Sequence, residues 1–211
     1  IKGPMLVVFA DTLIETDLSE LPEMVDRETD ALAWVKPVPD PRRFGVAEVD
    51  GENWVKCLVE KPENMDNNLA VVGFYYFDRG EELIRAIDAQ MAQDLQLKGE
   101  FYLADAINIL LDEGLKMRTR KVDVWLDTGT PEALLATNRY LLENGQANSE
   151  EAARREGVVV IPPVYIHPSA EVIHSIIGPH VSLGAGCKVE NSIICNSILE
   201  DEADACGTIL E

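Results

Sequence analysis

The chain has 211 residues, 46% of them hydrophobic, enough to bury one sizeable core or a larger and a smaller one. Acidic residues outnumber basic ones 38 to 18, for a formal net charge of −20. Such a surface repels nucleic-acid backbones and anionic lipid heads, and no apolar run approaches the roughly 18 residues of a membrane span, so neither is an expected partner.

A phosphate ligand would need a local cation or a metal ion. Cys57, Cys187, Cys195 and Cys206 form no CxxC pair and no metal-ligand spacing, which predicts buried thiols in a reducing cytoplasm. The sequence starts at Ile1, inside a strand-like run without the basic segment of a signal peptide, which suggests a missing beginning.

In chain order, Met5–Phe9 is a continuous apolar run ending in Ala10-Asp11, the pattern of a doubly buried strand with a carboxylate at its C-terminal end. Strands are predicted over Ala31–Val35, Val46–Val49, Trp54–Val59 and Leu69–Phe77, with Asp50-Gly51 as a hairpin turn. Asp78–Ala92 is predicted helical, with Leu83, Ile84, Ile87 and Met91 at helical spacing. Leu103–Leu111 is a second helix, with Ala106, Ile107, Leu110 and Leu111 on one side. A third helix starts at Thr130-Pro131, carries Leu134, Leu135, Leu141 and Leu142 on one face, and can close at Gly145. Residues 1–145 therefore read as one domain, and the polar stretch 146–156 as a linker with some exposed helix.

From 157 to 211 the period changes. Val160, Ile166 and Val172 are six apart, as are Ile177, Leu183, Val189 and Cys195, with one slip of five between the two series. A hexad period predicts a triangular β-helix of roughly three coils, near the minimum for repeat stability. Ile166, Val172, Ile177, Leu183 and Val189 are expected to point inward. His167, His174 and His180 read as corner or surface residues, with acetyl transfer by this repeat a minor alternative.

Several ordered segments resemble the sugar-1-phosphate nucleotidyltransferases, in particular the long glucose-1-phosphate thymidylyltransferases. They are Val7-Val8-Phe9-Ala10-Asp11, Phe44-Gly45-Val46, Val59-Glu60-Lys61-Pro62, Val71-Val72-Gly73-Phe74-Tyr75, Gly99-Glu100-Phe101 and Trp125-Leu126-Asp127-Thr128-Gly129-Thr130, followed by a repeat opening Ile161-Pro162-Pro163-Val164-Tyr165-Ile166. The resemblance implies an α/β fold: a partial Rossmann-like nucleotidyltransferase domain followed by a hexapeptide-repeat left-handed β-helix. Ala10 stands where the family has Gly, and Phe44 where it commonly has Tyr.

The implied reaction joins a sugar-1-phosphate, glucose-1-phosphate favoured, to a nucleoside triphosphate, dTTP favoured, and releases pyrophosphate. Asp11 and Asp127 are the candidate Mg²⁺ ligands, although Asp also commonly caps turns. Lys61 is the candidate cation for the sugar phosphate, and Glu60 the acceptor for sugar hydroxyls. Gly45 and Gly73 would let the backbone approach the sugar, with Val71, Tyr75 and Trp125 lining the pocket or simply filling the core. The family's Gly-rich loop with its Thr-Arg pair is not found in these 211 residues. The chain alone is therefore expected to be inactive, with a complementary N-terminal fragment and a homo-oligomer as possible contexts. A non-catalytic subunit that binds sugar phosphate is the rival reading.

Overall fold

The computed structural model describes residues 2–26, 28–96 and 99–211, in two compact units, Ile1–Leu126 and Asp127–Glu211.

In the first unit a mixed sheet contains β3 (Ala31–Pro37), β4 (Gly45–Val49), β5 (Val55–Glu60), β6 (Leu69–Phe77) and β7 (Met117–Lys121) in the order β5-β4-β6-β3-β7, with β1 (Met5–Val8) also paired to β6. β6 runs antiparallel to β1, β3 and β4, whereas β3 and β7 are parallel. The long run Leu-Ala-Val-Val-Gly-Phe-Tyr-Tyr-Phe is buried almost throughout because both of its faces are covered. One face packs Val35, Val71, Tyr75 and Phe77 under α2 (Gly80–Ala92) and α3 (Leu103–Asp112); the other holds Leu32, Trp34, Val72, Phe74 and Tyr76. α1 (Leu21–Met24) packs its Leu21 and Met24 on that second cluster, and β2 (Thr12–Ile14) pairs with β8 (Trp125–Asp127).

Several expectations need correction. β1 is not doubly buried: it alternates, with Leu6 and Val8 40% and 45% exposed, because among the described residues it pairs only with β6 and one of its faces is uncovered. The buried face of α2 is Gly80, Leu83, Ala86 and Gln90, while Ile84 and Met91 are exposed. In the β4–β5 hairpin the left-handed residue is Asn53, not Gly51; the Asp50 carboxylate accepts from the Glu52 and Trp54 amides and holds the turn. β7, Met-Arg-Thr-Arg-Lys, lacks an apolar run and so carries no strand signal; it buries Met117 and Thr119 and leaves Arg118 and Arg120 half-buried on the opposite face, Arg118 over the Trp54 ring and Arg120 bonded to the Met24 carbonyl.

The second unit opens with α4 (Pro131–Leu141), whose Thr130 cap accepts from the Ala133 amide at 3.2 Å. Its buried residues are Thr137 and Asn138; of the expected apolar face Leu134 and Leu135 are exposed, and only Leu142, in the turn that follows, is buried. Asn138 accepts from the Ser182 hydroxyl at 2.6 Å and donates to the His180 carbonyl, so this helix packs through polar contacts. A π-type turn, Leu142–Gln146, ends it with Gly145 at φ 98°. The stretch expected to be a linker is docked instead. α5 (Ser149–Ala152) buries Ala152, Asn148 pairs with the Ile166 backbone, and Ser149 accepts from the Val164 amide. The two units thus divide at Leu126 and Asp127, ahead of the 145 boundary suggested by composition.

The remainder is a parallel β-solenoid of about three turns, consistent with a left-handed β-helix. Its three sheets are β9 (Val158–Val160), β12 (Ser175–Ile177), β15 (Ile193–Ile194) and β18 (Ile209–Leu210); β10 (Val164–Ile166), β13 (Val181–Leu183) and β16 (Ile198–Leu199); and β11 (Glu171–Ile173), β14 (Lys188–Glu190) and β17 (Asp204–Cys206). Ile166, Val172, Ile177, Leu183 and Val189 all point inward and are at most 8% exposed. The period slips more than once: Val160 pairs with Ile177 and Ile177 with Ile194, a repeat of seventeen with one slip, and then Leu183 pairs with Leu199 and Ile194 with Leu210, a repeat of sixteen with two. The shortened corner stacks Gly157, His174, Asn191 and Gly207, all at positive φ, where a left-handed residue turns the chain one residue early. Consequently Ile194, not Cys195, takes the inward position. Of the four thiols only Cys187 is buried, Cys206 is exposed, and all four are free.

Candidate functional site

The antiparallel pairing of β4 with β5 places Gly45 directly opposite Glu60, and the Lys61 amide donates to the Phe44 carbonyl at 3.0 Å. A methyl on Gly45 would lie 2.9 Å from Glu60 Oε2 and 3.1 Å from Val71 Cγ2, so glycine leaves room for the Glu60 carboxylate. Lys61 leaves the strand at φ 46°, a left-handed conformation uncommon for lysine that directs its side chain out of the hairpin. Asn108 on α3 clamps the other edge of β5, donating to the Leu58 carbonyl and accepting from its amide, both at 2.8 Å.

Lys61 Nζ donates to the Tyr102 hydroxyl at 2.9 Å and lies 4.7 Å from the centroid of the same ring; the Tyr102 hydroxyl in turn donates to Glu100. Tyr102 is held through its backbone, whose carbonyl accepts from buried Gln90 at 3.0 Å. Glu60, Lys61, Pro62, Glu100 and Tyr102 line a cleft of about 450 Å³. On the other flank of Glu60, a second hollow of about 480 Å³ reaches Asp105, Asn108 and Asp112.

Burial raises the pKa of Glu60; the Lys61 charge opposes this rise, and Asp105 and Glu100 add to it. Burial likewise raises Asp105, and the hydrogen bond to Tyr102 raises Lys61. Glu60 is thus a partly desolvated acceptor beside a fully charged amine.

The other expected residues sit as follows. Val71 and Tyr75 are 9% and 2% exposed within the main core, where burial pushes the Tyr75 hydroxyl pKa upward. Gly73, at φ 72°, seats the Phe9 ring: a methyl there would fall 2.5 Å from Phe9 Cδ2, and the Gly73 carbonyl accepts from the Phe9 amide. Its open side is therefore occupied by Phe9 rather than left for a sugar. Phe9 also meets Tyr75, with ring centroids 6.1 Å apart. Trp125 is half-buried, edge-on to Phe44 at 4.9 Å between centroids, and its Nε1 donates to the Thr12 hydroxyl, which donates to the Val72 carbonyl. These contacts tie the Phe44 end of the hairpin to β2 and β8.

Asp11 is exposed in the turn between β1 and β2, within the first unit. Asp127 opens the second unit and caps its own turn, accepting from the Gly129 amide at 2.9 Å. Among the described residues no three His, Cys, Asp or Glu side chains form a ready-made metal cage. Mg²⁺ does not require one, since it takes one or two carboxylates and completes its shell with water and phosphate oxygens. Each carboxylate is of the hard-oxygen type that ion takes. His167 pairs with Ser169, His180 pairs with Glu143, and His174 takes the left-handed corner against Gly157, so all three histidines occupy structural corner positions.

Tyr102, Glu100 and Asn108 were not assigned roles from the sequence. Gly99-Glu100-Phe101 marked the neighbourhood, but the Lys61–Tyr102 contact joins residues 41 apart.

A family model described as Nucleotidyl transferase matches residues 2–144. A curated glucose-1-phosphate thymidylyltransferase of Streptomyces griseus is 32% identical over 196 residues, covering 84% of this chain and 54% of that relative. The Bifunctional protein GlmU of Methanocaldococcus jannaschii is 34% identical over 161 residues, covering 76% of this chain and 36% of the relative. A solved structure from Bacillus anthracis in complex with sucrose aligns with a TM-score of 0.53 at 25% identity, covering 65% of this chain and 54% of that one. The chain spans about half the length of the Streptomyces griseus and Streptomyces antibioticus relatives, 54% and 51%.

Proposed function

The chain belongs to the nucleotidyl transferase family, and from that premise we propose that it supplies the sugar-binding and metal-binding part of a sugar-1-phosphate nucleotidyltransferase. Glucose-1-phosphate and dTTP are the favoured substrates. The observation that carries this reading is the hairpin that sets Gly45 opposite Glu60 and projects Lys61 into a cleft beside it. A cleft with one cation and a desolvated carboxylate suits a ligand that is anionic at one end and rich in hydroxyls at the other.

In the proposed reaction a phosphate oxygen of the sugar phosphate attacks the α-phosphorus of the triphosphate in line, and pyrophosphate leaves. No covalent intermediate on the protein is needed; positioning and electrostatics carry the step. Lys61 would hold the sugar phosphate and offset its charge as it nears a second anion. Glu60 would accept from sugar hydroxyls and fix the ring, with Gly45 keeping that carboxylate in place. Asp11 and Asp127 would hold a Mg²⁺ ion, which supplies charge neutralisation and orients the α-phosphate when bound. These 211 residues contain no Gly-rich loop with a Thr-Arg pair to cradle a triphosphate, so a complementary N-terminal fragment is part of the proposal.

Calorimetric titration of glucose-1-phosphate, with glucose and inorganic phosphate as separate controls, tests the reading. Binding should exceed that of either half-ligand and fall at least about tenfold in Lys61→Ala, as expected for loss of a charge-assisted hydrogen bond. Equal affinity for inorganic phosphate alone would overturn it.

A further inference from the structure

The Lys61 ammonium has a partner within the chain. Its Nζ donates to the Tyr102 hydroxyl at 2.9 Å and lies 4.7 Å from the centroid of that ring, while the hydroxyl proton is given to the Glu100 carboxylate. A phenol that donates to a carboxylate becomes a stronger acceptor, so the two bonds reinforce each other. Lysine stems are flexible, but both ends of this contact are anchored at the backbone. The Lys61 amide donates to the Phe44 carbonyl at 3.0 Å, and a φ of 46° turns the chain there at the end of β5. Tyr102 holds the N-cap position of α3, and its carbonyl accepts from Gln90, a buried side chain of α2, at 3.0 Å. The cleft between them is poor in positive charge: among the described residues Glu60, Glu63 and Glu100 line it against Lys61 alone.

We infer that Tyr102 and Glu100 form an internal counter-ion for Lys61, one that an incoming phosphate group must displace, and that this exchange decides which anions bind. The inference rests on Lys61 holding the sugar phosphate, as proposed above. A phosphate approaching Lys61 competes with the phenol oxygen for the same ammonium and meets the Glu100 charge as it does so. Exchange of one hydrogen bond to a charged group corresponds to about tenfold in affinity, and every simple anion meets the same opposition. A sugar phosphate offsets it through hydroxyls donated to Glu60, whereas a bare phosphate ion brings that carboxylate only further negative charge. The contact therefore keeps weakly held anions off the site and leaves the ligand whose other end matches Glu60. Tyr102 and Glu100 are positioning residues, since both act through Lys61. Their removal should strengthen phosphate binding, the opposite of what loss of a ligand-holding side chain does.

The test is calorimetric titration of the 211-residue chain with glucose-1-phosphate and, separately, inorganic phosphate, at fixed pH and salt. Tyr102→Phe keeps the ring under Lys61 and removes only the hydroxyl; it should bind both ligands about tenfold more tightly. Glu100→Gln, an isosteric change at an exposed position, leaves a neutral acceptor for the hydroxyl and should gain about threefold, because a neutral hydrogen bond is roughly half as strong as a charged one. The double variant should bind no more tightly than Tyr102→Phe, since both changes break one chain of contacts. Glu171→Gln removes the same charge from β11 and should change nothing. In a Lys61→Ala background Tyr102→Phe should bring no gain. Unchanged or weaker binding in folded Tyr102→Phe or Glu100→Gln, or gains that simply add in the double variant, overturns the inference. If Lys61→Ala still loses binding in that case, the sugar-phosphate reading stands without it. Should Tyr102→Phe misfold, Glu100→Gln decides by itself. Full affinity in Lys61→Ala, or no binding by the wild type and every variant, overturns the reading and the inference together.

Discussion

Leu183 offers the sharpest test of the solenoid core. It is 0% exposed, sits at the centre of its sheet, and pairs with Ile166 on one side and Leu199 on the other. Leu183→Ala removes most of an aliphatic side chain from a place where the neighbouring coils are held by backbone ladders and cannot collapse inward easily. Large-to-small changes of this kind cost about 2–5 kcal/mol, and the rigid surround argues for the upper half of that range. Because a solenoid behaves as a row of coupled repeats, the loss should appear first as local opening of the middle coil. Native-state hydrogen exchange reads this directly: the amides of Ser182, Gly184 and His167, bonded to Ser197, Leu199 and Leu183 carbonyls, should lose protection by roughly 400- to 4,000-fold. Ile173→Ala, at a 46% exposed position in the same solenoid, is the control and should cost under about 1 kcal/mol. If the two variants lose protection equally, inward packing of the hexads does not hold this unit together.

Three further outcomes follow. Gly45→Val would push into Glu60 Oε2 and Val71 Cγ2, and should weaken glucose-1-phosphate binding at least about tenfold by calorimetry while shifting Tm only modestly. Burial raises the folded pKa of Glu60 above its unfolded value, so its ionisation opposes folding; this penalty is absent below the unfolded pKa and grows as pH rises through the folded one. Glu60→Gln should therefore raise Tm at pH 7 and lose that advantage near pH 4, and a Tm difference independent of pH would refute the assignment. Finally, on the proposed reading the chain by itself should release no pyrophosphate from glucose-1-phosphate and dTTP with Mg²⁺, because Lys61 alone would have to offset the repulsion of two phosphate-bearing reactants in a chain of charge −20; turnover abolished by Asp127→Asn would show that no further phosphate cradle is required.

The fold was legible wherever burial left a simple period. Leu69–Phe77 reads as a strand covered on both faces because its apolar run is unbroken, and it is one. The hexads from Val160 to Val189 read as inward rungs because a large aliphatic side chain recurs at the six-residue period of a narrow triangular core, with a second buried residue (Val164, Ala170, Val181, Cys187) two positions before it. What stayed hidden depends on backbone conformation or distant partners. The recurrent five-residue step comes with left-handed corners at His174 and Asn191, residue types enriched at positive φ that nonetheless adopt it in only a minority of positions. β7 is a strand because Met117 and Thr119 face the core beside β3, a tertiary circumstance that its three basic residues conceal. α4 buries Asn138 against Ser182 and His180 of the solenoid and Thr137 against the Asp127 carbonyl, so an apolar-face rule selects the wrong side. In the candidate site Gly45, Glu60 and Lys61 were found from short motifs, and strand register explains why they converge. Tyr102 was missed because its role rests on one hydroxyl reaching a lysine 41 residues away.

The most direct test of the proposed sugar-phosphate site is a crystal structure of this chain with glucose-1-phosphate bound. The phosphate is predicted within hydrogen-bond reach of Lys61 Nζ, with the Tyr102 hydroxyl displaced or shared, and at least one sugar hydroxyl donating to the Glu60 carboxylate over Gly45. Ligand ordered elsewhere on the chain, with Lys61 still bonded to Tyr102 and no contact to Glu60, would contradict it.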